Sequence, residues 1–135
     1  MHRLTVWMVR AALVHLGLSF TVGGLILFHK GIPLGGSVWR LWPLHVESAL
    51  TGWVIQLAMG MAVWILPRWR QAPRYGNTRL GWIAFVLLNL GVIAVGVAPW
   101  ISGLSGLAFA GRLAELLAVS AFVMMIWPRV KPLGR

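Results

Sequence analysis

Long apolar runs separated by short polar connections set the pattern of this chain. The runs cover roughly residues 5–28, 42–66, 80–100 and 105–127, each close to the ~20 residues an α-helix needs to cross ~30 Å of hydrocarbon. Between them lie "HKGIPLGGSVWRL" (29–41), "PRWRQAPRYGNTR" (67–79) and "APWISGLSG" (98–106). The pattern predicts an all-α integral membrane fold: a four-transmembrane-helix bundle forming a single domain over residues 1–135. The first run is too long in its apolar part for a cleavable signal and has no small-residue cleavage pattern before "LFHKGIP", so it is expected to remain as the first helix. The second and fourth runs end alike, in "WILPRW" (64–69) and "MIWPRV" (125–130). In both, proline stops the helix and arginine follows.

Composition sharpens this picture. With 59% hydrophobic and only 10% charged residues, the chain could not keep a water-facing surface as a soluble domain. The bilayer is the expected surroundings. Cysteine is absent, which removes disulfides and thiolate metal sites. A net charge of +10 would suit nucleic acid, but the basic residues sit at helix ends, so nucleic acid is not an expected partner. Arg3 and Arg10 open the first helix, Arg68, Arg70, Arg74 and Arg79 fill the second connection, and Arg129, Lys131 and Arg135 form the tail. Lys30 and Arg40 alone occupy the first connection, and the third carries no formal charge. The positive-inside rule therefore expects both termini and the second connection in the cytoplasm, in a multi-pass protein of a prokaryotic-type inner membrane. Trp7, Trp39, Trp42, Trp64, Trp69, Trp82, Trp100 and Trp127 fall near helix ends, where indoles favour the headgroup zone. Trp53 alone is deep.

Glu47 and Glu115 are the only two acidic residues, and both lie inside predicted spans. An ionisable group there costs several kcal/mol unless it is paired or solvated. With a rise of ~1.5 Å per residue, His45 lies about 5 Å and Glu47 about 8 Å below the outer boundary, Arg112 about 10 Å deep, and Glu115 and His15 near the midplane. Depth therefore expects two pairs, Glu47 with Arg112 and Glu115 with His15. Arg112 can equally pair with Glu115, three residues away on its own helix. At 100° per residue, His45, Ser48, Gly52, Gln56 and Gly60 share one face of the second helix, and the small residues leave room for a bulky group or for a close helix neighbour. Glu47 points about 200° away from His45, which calls for polar surroundings on two sides, as an oligomer would supply. His45 on such a face reads most simply as a hydrogen-bonded packing residue, and an axial haem ligand would satisfy the same pattern.

The segment "HVESALTGWVIQLAMGMAVWILPRW" (45–69) resembles the tenth helix of the catalytic subunit of heme-copper oxidases and nitric oxide reductases. His45, Gly52, Trp53, Gly60 and Leu66-Pro67-Arg68 match that helix in order. The family subunit arranges twelve helices as three pseudo-repeats of four, with cofactor ligands on the second helix of each. The resemblance implies that this chain is one third of such a ring, that three copies form a homotrimer, and that His45 binds the iron of a b-type haem. It sets Glu47 where the family has a second ligating histidine, so that Glu47 would face the haem pocket of a neighbouring chain. Arg40, Lys30, Trp39 and Trp42 lie at the level expected for the propionates, and Gly52 and Gly60 would leave room for the macrocycle. Copper is not expected: the family's copper takes three further histidines, and His2, His15 and His29 match no such motif. The one tyrosine, Tyr75, lies in a connection, so full reduction of oxygen to water is not expected either. The implied role is electron transfer, with a redox donor as partner, or the binding or reduction of O2 or NO. Two other readings stay open: a small proton-coupled multidrug-type transporter, and a non-catalytic membrane scaffold or accessory subunit.

Overall fold

A computed structural model describes residues 2–70, 73–103 and 106–130, and it is helical throughout with no strand among them. Lys131 and Arg135 of the basic tail lie outside the described residues. Helix α1 (Arg3–Gly31) starts where the His2 side chain accepts a hydrogen bond from the Leu4 amide at 3.2 Å, and ends as Ile32 bonds back to Phe28. Apart from Thr5, its buried residues, Leu4, Met8, Ala12, His15, Ser19, Val22 and Ile26, recur every three or four positions. They form one stripe, while Phe20 and Leu27 stay about 70% exposed on the outside. A helix that is apolar all round and buries one stripe against protein presents the rest to lipid.

The second span runs over Gly36–Ile65 and is not one regular helix. It comprises a 3₁₀ turn (Gly36–Leu41), α2 (Trp42–Glu47) with Pro43 in its first turn, a π-helical stretch (Ser48–Ile55) and α3 (Gln56–Ile65). A regular helix was expected over 42–66. The π stretch bonds i to i+5, so each residue in it turns the chain by less than 100°, yet Gly52 within it and Gly60 beyond it both still face α1, against His15 and Met8. Helices α4 (Thr78–Val97) and α5 (Leu107–Ile126) follow. Asn77 caps α4 by accepting from the Arg79 amide at 3.2 Å, and α5 closes in a 3₁₀ turn (Trp127–Arg129) containing Pro128. Four apolar helices are thus long enough to cross a membrane: Arg3–Gly31, Gly36–Ile65, Thr78–Trp100 and Leu107–Arg129.

Packing runs α1 against the second span, the second span against α4, and α4 most intimately against α5. Glycines set the closest approaches. A Cβ on Gly60 would meet the Met8 side chain at 3.0 Å, and one on Gly91 would stand 2.8 Å from the Gly111 carbonyl. Leu4, Met8, Met59, Val63, Leu88, Phe122 and Met125 form a core to which α1, α3, α4 and α5 all contribute. That end holds the start of α1, the end of α3, the start of α4 and the end of α5. At the opposite end Val22, Ile26 and Val38 cluster with Leu41 and Leu44.

Candidate functional site

His45 sits in α2 with its ring against α1. Its Nδ1 lies 2.9 Å from the Ser19 carbonyl oxygen. A carbonyl can only accept, so Nδ1 carries the proton and Nε2 keeps its lone pair. Ser19 Oγ also donates to the His45 carbonyl at 3.2 Å, tying the two backbones together. The ring fits because position 23 has no side chain: a Cβ there would stand 2.6 Å from His45 Cε1. Nε2 makes no hydrogen bond among the described residues. The half-buried ring borders an open groove of about 370 Å³ whose other walls are Phe20, Gly23, Gly24, Ala49 and Trp53. The Trp42 ring is 5.9 Å from that of His45, inclined at 50°.

The residues grouped in the sequence around one haem pocket do not stay together. His45 lines the groove, whereas Arg40, Trp42, Glu47 and Gly52 do not. Arg40 stacks over Trp100 at 5.9 Å, as Lys30 does over Trp39 at 5.9 Å. Gly52 is filled by α1: a Cβ there would come within 2.5 Å of the His15 ring. The space it leaves therefore admits a neighbouring helix, and Gly60 does the same for Met8. His15 in turn bonds Asn89 of α4, Nε2 to Oδ1 at 3.0 Å, and Asn89 donates to the Phe85 carbonyl at 2.7 Å. The expected pairing of His15 with Glu115 is thus replaced by one with Asn89, because His15 lies on the face of α1 that meets the second span and α4.

Glu47 is 3% exposed and lies within its own chain. Arg112 Nη2 is 2.5 Å from Glu47 Oε1, Thr51 donates to Glu47 Oε2 at 3.2 Å, and Arg112 Nη1 donates to Glu115 Oε2 at 3.2 Å. Both candidate partners of Arg112 are used at once. One guanidinium joins both carboxylate side chains of the protein, and Glu47 turns to Arg112 within its own chain. Glu115 Oε1, His15 Nδ1, Ser48 Oγ and the Gln56 amide are buried without a hydrogen-bond partner among the described residues. No three His, Asp or Glu side chains cluster as a metal donor set among the described residues.

Sequence reasoning gave Arg129 a topological role only. It is 1% exposed and donates to the carbonyls of Pro67, Val63 and Leu66 at 3.0, 2.9 and 2.7 Å. These are orphan acceptors at the end of α3. Tyr75 lies 5.6 Å from the Arg129 guanidinium and 5.7 Å from that of Arg68, and the His2 ring packs on it at 4.5 Å. Burial and then the charge of Arg129 hold the His2 imidazole below its ordinary value. Ser19 and Gly23, which seat His45, were also missed, since only the proximity of α1 gives them a role.

No family model, curated protein or solved structure matches the chain.

Proposed function

We propose that this protein binds haem b in a prokaryotic-type inner membrane, with both termini cytoplasmic, and serves electron transfer or the binding or reduction of O2 or NO. One observation carries the reading. His45 donates its Nδ1 proton to the Ser19 carbonyl and leaves Nε2 without a hydrogen-bond partner among the described residues, beside an apolar groove. Histidines that bind metals are held in this way, with the second nitrogen fixed to a carbonyl or carboxylate so that tautomer and ring direction are set before the metal arrives. In the groove, Gly23, Gly24 and Ala49 leave a shallow wall suited to a flat macrocycle, while Trp53 and Phe20 keep water from it. The bound group would supply one-electron chemistry and an iron site for a diatomic gas. Lys30 and Arg40, the cations of the connection at that end, are available to its carboxylates.

The groove is open and the chain offers it one histidine, so its far side requires lipid or another copy. The Arg112 side chain, 56% exposed at membrane depth, likewise favours protein or water as its neighbour over hydrocarbon. Both support a homotrimeric ring built from the four-helix unit. Native mass spectrometry in mild detergent is expected to give an intact species of three chains, and a monomer as the sole species would refute the ring.

The visible spectrum tests haem directly. Protein produced with ample haem is expected to show a Soret band that His45→Ala removes. A spectrum without that band, or one unchanged in His45→Ala, overturns the proposal. The unpartnered interior atoms of His15, Ser48, Gln56 and Glu115 favour a second reading, proton-coupled transport. Proton-driven uptake abolished by Glu115→Gln, in protein lacking a Soret band, would support it.

A further inference from the structure

At the end of the bundle where α3 and α5 finish, a cavity of about 740 Å³ opens between them. Arg68, Arg70 and Arg129 line it, with Asn77, Trp69 and Met125. Its charge has no internal answer. The protein has two carboxylate side chains, and both are held by Arg112. Arg129 is nevertheless 1% exposed, and a guanidinium taken out of water without a counter-ion is costly. Capping α3 explains part of its geometry: Nε and Nη2 serve the Pro67, Val63 and Leu66 carbonyls. It leaves Nη1 buried with no hydrogen-bond partner among the described residues, and it gives no role to Arg68 or Arg70 on the same wall. Tyr75, flanked by the Arg68 and Arg129 guanidinium groups at 5.7 and 5.6 Å, keeps those two cations together against their repulsion.

A phosphate group meets each requirement. It carries the missing charge, offers several acceptor oxygens in a geometry that guanidinium groups match, and belongs at a bundle end rather than at its middle. Basic cavities between the ends of membrane helices take the head groups of anionic lipids for these reasons. The apolar part of the wall, Met125 with Met124 and Pro128, suits the glycerol and first methylenes of a lipid better than a free ion. We infer that this cavity binds the phosphate of an anionic phospholipid head group. The inference rests on the reading of the four helices as membrane spans and is independent of haem at His45, whose spectrum plays no part in its test.

The test uses the full-length protein, stripped of lipid in a neutral detergent, and follows its thermal unfolding midpoint as a lipid or salt is added. Phosphatidylglycerol is expected to raise the midpoint saturably, and phosphatidylcholine at equal concentration to leave it within a degree or so. In Arg68→Gln/Arg70→Gln the apparent affinity for phosphatidylglycerol is expected to fall at least tenfold, because both changed residues are exposed at the wall and leave the α3 cap in place. Arg129→Lys, which keeps the charge but loses the fork, should weaken binding as well. A saturable rise with inorganic phosphate alone, abolished in the Arg68→Gln/Arg70→Gln variant, would keep the phosphate site but identify the ligand as a free anion. Equal shifts with the two lipids, or an unchanged response in the double variant, would overturn the inference.

Discussion

Arg112→Ala is expected to lower stability by about 3–5 kcal/mol, the range for breaking a buried ion pair by removing one partner. The size follows from what is stranded. Glu47 is 3% exposed and would keep only Thr51 among the described residues, and Glu115 would lose its partner for Oε2 while Oε1 has none among them either. Two carboxylates would then face the interior without a cation, and each must take a proton or draw in water. Removing Glu47 instead should cost less, since Arg112 is 56% exposed and keeps Glu115. This asymmetry separates a charge network from simple packing. Unfolding in mixed micelles should show Glu47→Gln restoring a large part of the loss when added to Arg112→Ala, a strongly non-additive pair. Additive losses would mean that the three groups are not coupled.

Gly111→Val should be comparably damaging. A Cβ on Gly111 would stand 2.7 Å from Val95 Cγ2 and 3.0 Å from the Gly91 carbonyl, and backbone on a packed helix cannot swing aside. Overpacking of this kind costs roughly 1–3 kcal/mol for a methyl group or two, and more where backbone must separate. Within a helix, glycine is otherwise disfavoured relative to alanine by about 1 kcal/mol. The control is Gly17, in α1, which has nothing within 4 Å of an added Cβ. Gly17→Ala should therefore be neutral or stabilising by the same unfolding assay, while Gly111→Ala should already destabilise. If both glycines responded alike, close α4–α5 contact would not be what holds this pair together.

The contrast between these glycines illustrates how much of the molecule is written locally. Run length and composition settled that four helices are long and apolar enough to span a membrane. The stops at Pro67 and Pro128, the Asn77 cap and the level of each polar residue also follow from neighbouring residues, because each depends on rise per residue and on hydrogen bonds within a turn. Depth is one coordinate, however, and choice of partner needs two more. His15 and Glu115 share a level by residue count, yet the rotation of α1 sets His15 against Gly52 and Asn89. Glu47 and Arg112 share a level too, and there the rotations of α2 and α5 bring them together.

The glycine-lined face of the second span was legible as a place for something bulky, but the occupants, His15 and Met8, come from α1. The π stretch at Ser48–Ile55 was not legible, since no single residue in it forbids an α-helix. His45 shows the division most plainly. Its residue type and the apolar run around it marked it from the sequence as a histidine with two readings. Its tautomer, its free Nε2 and its groove depend on Ser19 and Gly23, residues 26 and 22 positions earlier in the chain. Local sequence determines which segments are helical and how far along its helix each group lies. Helix rotation and close approach, which decide what each polar group meets, come from the packing of all four spans at once.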